Sequence, residues 1–292
     1  MTADLNRHAE MLQARGQPVA WVGDQLFTRK GHWVAPVGPW ATPWHLEAAD
    51  GRRLLRDLGG AWVMWTDGFG PHAVDSKWHA VICRRFTPVE DVSSGNTRSK
   101  IRRGLKNCDV RPIGLQEMAR DGYETYCAAC RQYGAPESAI PDADDFYRNH
   151  MADAPFEDIR HQWGVFHDGR MVGFAKNLLY GRTEVDYTMI KLHPQFLNRY
   201  ISYALFHVMN EYYLVREGFE YVSDGSRTLV HETGVQDFLI KEFAFEQAPM
   251  GLHLDYRPGF AAAVAVARPF RGLLSRLHPR ARAFFELDRM RR

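Results

Sequence analysis

The stretch from Arg160 to Lys191 most constrains what this chain can fold into. It reads as three consecutive strands, Arg160–His167, Met171–Leu179 and Thr183–Lys191, joined by the turns Asp168-Gly169 and Gly181-Arg182. Connections this short force antiparallel neighbours, because a parallel return needs a much longer crossover. An apolar repeat at Leu197, Ile201, Leu205, Val208, Tyr212 and Val215 follows and predicts a long helix over Gln195–Arg216. Gly218 ends that helix, and Phe219–Ser223 reads as a further strand. A meander answered by a long helix and another strand predicts an α+β fold, a mostly antiparallel sheet flanked by helices.

Other elements arrange themselves around this block. Residues 18–35 alternate around Trp21, Phe27 and Trp33 and read as a β-hairpin. Glu47–Leu58 reads as a helix stopped by Gly59-Gly60, with strands at Ala61–Thr66 and Trp78–Phe86. A helix over Ser93–Asn107, a strand Asp109–Ile113 and helices Leu115–Tyr133 and Asp142–Met151 lead into the meander. Met250–Tyr256 supplies a last strand, and Pro258 precedes an arginine-rich helical end that Pro279 splits. The expected division is a smaller N-terminal α/β region (residues 1–92), a main domain (93–257) and a basic helical tail (258–292).

A hydrophobic content of 45% with 25% charged residues supplies ample core for a globular protein. The longest purely apolar run, Phe260–Ala267, is too short to cross a bilayer, and the polar start MTADLNRHAEMLQARG lacks the apolar stretch of a secretory signal. A cytoplasmic location is the expectation. Cys127-x-x-Cys130 falls on a helix, but Cys83 and Cys108 do not supply the second pair that zinc would need, so buried thiols and no metal site are expected.

Positive charge is concentrated in two places. Arg98–Arg111 holds six Lys/Arg against Asp109, and Arg268–Arg292 holds eight Arg against Glu286 and Asp288. Such blocks on a chain of net charge +2 point to a local anionic partner, with solvated helix faces as the plain alternative. Arg98, Arg102 and Lys106 stand four apart and make one cationic stripe suited to phosphate. The tail interleaves Phe270, Leu273, Leu274, Leu277, Phe284, Phe285 and Leu287 with its arginines. That pattern fits an anionic membrane surface, a tRNA backbone, or a helix docked on its own domain.

The segment FEYVSDGSRTLVHETGVQDFLIKEFAF, Phe219 to Phe245, reads as strand, tight turn, loop and helix, and places two cations, Arg227 and Lys241, at element ends. It resembles the closing motif of the FemAB-like branch of the GNAT (Gcn5-related acyltransferase) superfamily, roughly F.FGRS…GTG…FK..WGF. Gly225-Ser226-Arg227, Thr233-Gly234 and Phe238–Phe245 stand at its parts, with Phe243-Ala244-Phe245 in place of the Trp-Gly-Phe. A second stretch, Arg98, Ile101, Arg102, Lys106 and Val110, keeps the register of the family's R..IRKA.K.GV.V segment, with Gly104 departing from it. The resemblance covers about residues 93–257. It implies a GNAT-like sheet splayed open between its central strands, with a reduced first GNAT half in residues 18–86.

The resemblance further implies transfer of an acyl or aminoacyl group to a primary amine by direct attack. No cofactor would be bound permanently; the donor would be a co-substrate, either aminoacyl-tRNA or an acyl-CoA or acyl-carrier-protein thioester. Acceptors would be small-molecule, peptide or cell-envelope precursor amines, with peripheral membrane contact through the basic C-terminus. Lys241 would stabilise the oxyanion or a donor phosphate. Arg227 and Ser226 would hold phosphate or an acceptor carboxylate. Asp186 or Tyr187 on the central strand, Asp224, and His231-Glu232 are candidates to accept the proton, with turn or helix capping as the plain alternative for Asp224 and for His231-Glu232. Where acetyltransferases of this superfamily carry a glycine-rich pyrophosphate loop, Leu192–Tyr200 contains no glycine. Asn198 and Arg199 would be left to meet phosphate there, which favours aminoacyl-tRNA over coenzyme A. In another class altogether stands a non-catalytic module binding RNA or a partner. Trp62, Trp65 and Trp78 fit a core or an apolar pocket, and Tyr203, His207 and Tyr212 fit either cleft or packing.

Overall fold

A computed structural model describes residues 5–229 and 234–291. In chain order the strands are β1 (Val19–Val22), β2 (Gln25–Lys30), β3 (Trp33–Pro36), β4 (Trp62–Phe69), β5 (His79–Cys83), β6 (Asp109–Ile113), β7 (Arg160–His167), β8 (Arg170–Tyr180), β9 (Glu184–Leu192), β10 (Tyr221–Ser226) and β11 (Glu246–Tyr256). The helices are α1 (Leu5–Ala14), α2 (Ala48–Asp57), α3 (Gly95–Asn107), α4 (Leu115–Asp121), α5 (Tyr123–Gln132), α6 (Ala143–Met151), α7 (Ile201–Glu211), α8 (Val235–Phe243), α9 (Pro258–Ala267), α10 (Arg271–Leu277) and α11 (Pro279–Met290). They fall into two compact units. Unit I holds Ile82–Asp224 and Phe238–Phe245; unit II holds Ala3–Val81, Gly225–Asp237 and Glu246–Arg292. The first boundary therefore falls at Val81 rather than residue 92, and the basic tail belongs with the N-terminal residues instead of standing apart.

In unit I the strands lie in the order β10-β9-β8-β7-β6. β6 through β9 are antiparallel, and β10 joins β9 in parallel. Asp168 (φ 49°) and Gly169 (φ 78°) both take left-handed backbone, the turn whose twist suits a two-residue hairpin. Ile113, Leu115, Met118, Phe146, Met171 and Phe174 form a core under this sheet. The expected helix Leu115–Tyr133 is in fact two, α4 and α5, parted at Gly122. A Cβ on Gly122 would lie 2.6 Å from the Met118 carbonyl oxygen and 3.2 Å from the Phe174 ring, so the chain passes too close there for a side chain.

The expected helix over Gln195–Arg216 also starts later than its periodicity implies. Pro194–Arg199 is a tight 3₁₀ turn, Tyr200 takes φ 63°, and α7 runs only from Ile201, with Tyr212–Arg216 widening into a π-turn. A left-handed conformation in a bulky residue persists where its surroundings impose it. Those surroundings come from α3: Arg103 donates to the Tyr200 hydroxyl at 3.0 Å, and Asn107 Nδ2 donates to the Arg199 carbonyl at 3.2 Å. Gly104 is what permits the approach, since a Cβ there would sit 2.5 Å from the Tyr200 carbonyl oxygen and 3.1 Å from the Ala204 nitrogen. Gly104→Ala is expected to push α3 off α7 at a cost of about 1–3 kcal/mol, read as a lower urea midpoint. An unchanged midpoint would mean that the two helices do not meet this closely.

Unit II runs β1-β2-β3-β4-β11, with β3 parallel to β4 and the other pairs antiparallel. Phe27, Trp44, Leu54, Leu55, Val63 and Trp65 fill its core. Trp62 stacks on Trp33 and on Phe260 at centroid distances of 5.9 and 5.7 Å, so the tryptophans are packing residues here. All four cysteines are buried and free.

Candidate functional site

A gap opens in unit I between β9 and β10. β9 and β10 are in register only at Glu184↔Tyr221, Val185↔Val222 and Asp186↔Ser223, although β9 continues to Leu192. Beyond that point β9 pairs with β8 alone, and a bulge sets Tyr187 and Thr188 against the single residue Asn177. This is the splay expected of a GNAT-like sheet. Thr188 Oγ1 donates to the Lys176 carbonyl at 2.8 Å and holds the bulge.

The bulge aims Tyr187 inward. Its hydroxyl donates to Asn210 Oδ1 of α7 at 2.8 Å, and complete burial raises its phenol well above the ordinary value. Tyr187 is thus a hydrogen-bond donor that fixes an amide, not the proton acceptor suggested by its place on the strand. Neighbouring side chains on a strand point to opposite faces, so Asp186 and Tyr187 do not serve one point. Asp186 lies at the last position where β9 pairs with β10, and its charge helps to raise the buried Tyr180 phenol after burial itself.

A cavity of about 360 Å³ lies in unit I, lined among others by Thr87, Ser93, His207, Asn210, Lys241 and Glu242. His207 is 7% exposed and stands one turn before Asn210 on α7, with its ring 4.9 Å from that of Phe86. Burial lowers its pKa below the ordinary 6.5, partly countered by Glu211 and Glu90, so the ring is neutral near pH 7. Lys241, at the end of α8, has no acidic partner among the described residues, because the adjacent Glu242 accepts from Thr97 Oγ1 at 2.6 Å. After α8, Ala244 takes φ 56° at the motif's glycine position, and the Phe245 amide bonds back to the Leu239 carbonyl at 3.4 Å.

The other expected site residues do not line this cavity. Arg98 bends its guanidinium onto the carbonyls of Val92 and Ser93 and so fixes a loop that walls the cavity; it does not present itself as a phosphate ligand. Arg102 is exposed and 3.9 Å from Glu90, Lys106 is exposed, and the stripe's buried side is Thr97, Ile101 and Gly104. Asn198 and Arg199 are exposed on the 3₁₀ turn. The Phe196 and Tyr200 amides already donate to the His193 and Leu197 carbonyls, at 3.0 Å each.

β10 runs on to Ser226, with Gly225 at φ 76°, where a turn was expected from Asp224. The Ser226 carbonyl accepts from Gln236 Nε2 at 3.1 Å. Asp224 contributes to the raised Tyr187 phenol. Arg227 belongs to unit II, where it pairs with Glu286 at 2.7 Å and donates to the Lys77 carbonyl at 3.2 Å. It lines a second cavity, of about 690 Å³, that does not include Lys241. Arg227 and Lys241, read from the sequence as one cation pair, fall in units II and I respectively. His231, Glu232 and Thr233 lie outside the described residues. Asn210 carried no sequence signal of its own beyond being polar, three residues after His207, in an apolar helix.

No protein-family model and no curated protein matches the chain. Solved structures do resemble it. FemX aligns with 13% identity over 89% of this chain and 92% of its own, with a TM-score of 0.59. The C-terminal domain of a putative lysylphosphatidylglycerol synthetase from Agrobacterium fabrum aligns with 12% identity over 90% and 91%, at 0.56. A conserved protein of unknown function from Bacteroides thetaiotaomicron aligns with 12% identity over 87% and 90%, at 0.51. The fold is the α+β, splayed-sheet fold of FemX, as the two motif segments imply, and the likeness extends over both units.

Proposed function

We propose that the chain is an N-acyltransferase that moves an aminoacyl group from aminoacyl-tRNA to a primary amine by direct attack in the unit I cavity. The observation that carries this reading is the convergence of a neutral imidazole (His207), an oriented amide (Asn210) and a cation without an acidic partner (Lys241) on one concavity. His207 takes a proton from the acceptor amine, which is neutral when its nitrogen attacks the donor carbonyl. With Oδ1 engaged by Tyr187, the Asn210 amide N–H joins the Lys241 ammonium in stabilising the tetrahedral oxyanion. Collapse breaks the ester bond, and the His207 imidazolium returns its proton to the leaving hydroxyl. No covalent enzyme intermediate is needed when both substrates are held together.

Aminoacyl-tRNA is favoured over coenzyme A by the turn before α7. It has no glycine, and two of its amides are already spent on internal carbonyls, which removes the usual backbone grip on a pyrophosphate. A thermal-shift series tests the point: no acyl-CoA should raise the melting temperature, whereas charged tRNA should. Stabilisation by an acyl-CoA, lost in Arg199→Ala, would replace the tRNA reading with the thioester one.

The proton role of His207 has a pH signature. A base must be unprotonated, so kcat/KM should show an enzyme-borne rise with pH through a pKa below 6.5, separate from the rise at higher pH that the acceptor amine's own deprotonation causes. In His207→Gln the enzyme-borne rise should vanish and the rate should fall by about 10²–10⁴. A profile unchanged in the variant would remove His207 from the chemistry.

A further inference from the structure

The tail of unit II is docked along only part of its length. Phe260 and Phe284 pack on Trp62, at 5.7 and 5.4 Å, and Phe285 and Leu287 are buried. Asp288 is the clasp: Tyr256 donates to it at 2.6 Å, Arg268 at 3.1 Å, and Arg291 pairs with it at 3.4 Å. Between these anchors α10 and its approach stay in solvent. Val266, Phe270, Leu273 and Leu277 are 71, 60, 59 and 71% exposed. Leu273 and Leu277, four apart, share one face of α10, while Val266 lies near the end of α9 and Phe270 on the short 3₁₀ turn between the two helices.

The charges beside that ridge are not balanced. Both acids of the tail are engaged, Glu286 with Arg227 and Asp288 with Arg268 and Arg291. Arg271, Arg276, Arg280, Arg282 and Arg289 are exposed and have no acidic partner among the described residues. Three of them, Arg271, Arg282 and Arg289, line the cavity of about 690 Å³ with Lys77 and Arg227, against the two acids Asp75 and Glu286. An apolar ridge on α10 and the neighbouring concavity, with its excess of cations, make two separate demands on an occupant.

We infer that this face docks on an anionic phospholipid surface, with Phe270, Leu273 and Leu277 entering the acyl boundary and the arginines meeting headgroup phosphates. A bilayer satisfies both demands at once, by apolar burial and by attraction to anionic lipid. RNA would engage the arginines and leave the ridge in water. A second copy of the chain would bring two sets of unpaired arginines together. Among the described residues no helix is long and apolar enough to cross a membrane, which fits an element lying on the surface. The docking face is independent of the acyl-transfer reading.

Co-sedimentation of the full chain with vesicles tests it. Binding is expected to vesicles of phosphatidylcholine mixed with phosphatidylglycerol and to be much weaker to phosphatidylcholine alone. The Leu273→Ser/Leu277→Ser double variant should lose at least about ten-fold in affinity, and Arg271→Glu/Arg282→Glu should lose a similar factor at low salt and less at high salt. Circular dichroism melts, expected unchanged, show that the variants are folded. Vesicle binding that is absent, or that ignores the leucine substitutions, would overturn the inference. So would bulk tRNA binding that outcompetes vesicles and depends on the arginines alone; that outcome would assign the face to RNA.

Discussion

Replacing Lys241 with alanine is expected to lower kcat/KM for acyl transfer by about 10²–10³ while leaving the melting temperature unchanged. The size follows from what the residue is asked to do. An oxyanion formed in a concavity of about 360 Å³ loses most of its water, and the ammonium replaces that solvation with a charge already in place. Stability should be spared because Lys241 is exposed and makes no ion pair among the described residues. Lys241→Arg keeps the charge but changes its shape and reach, so it should recover only part of the rate. A fall in rate accompanied by an equal fall in melting temperature would instead mark Lys241 as a structural residue.

The second large effect concerns stability. Asp153 is fully buried and accepts from Lys176 Nζ at 2.6 Å and from Arg160 at 3.1 Å, and Lys176 is itself only 2% exposed. Asp153→Ala strands the Lys176 ammonium in the interior and should cost about 3–5 kcal/mol in urea unfolding. Adding Lys176→Met should recover much of that loss, because the uncompensated charge goes with it. Lys176 adjoins Asn177, the residue opposite the β9 bulge, so the single variant should also loosen the strand behind the site. A loss below about 1 kcal/mol would show that water reaches the pair.

What the sequence made legible is unequal, for physical reasons. The meander from β7 to β9 is readable because turns of two and three residues impose register locally, and Asp168-Gly169 adopts the backbone that its residue types favour. The Tyr200 kink is not readable, because nothing local asks a tyrosine to take a left-handed conformation. It depends on Gly104, Arg103 and Asn107 of α3, which are remote in sequence. Arg227 and Lys241 look like partners because they are near in sequence, yet Arg227 is claimed by Glu286, 59 residues away. The polar pair His207 and Asn210 hides inside a helix whose apolar spacing explains it as packing. The bond from Tyr187, 23 residues earlier, is what singles out Asn210 in the structure.

The most direct test of acyl transfer in the unit I cavity is label transfer. Purified protein is incubated with radiolabelled aminoacyl-tRNA, or with a radiolabelled acyl-CoA, and a mixture of primary-amine acceptors. Label entering an alkali-stable amide is then followed. The expected result is amide formation from charged tRNA by the wild-type chain, slowed at least about 100-fold in both Lys241→Ala and His207→Gln. Amide formed equally by the wild type and both variants, or none formed from any donor, would contradict it.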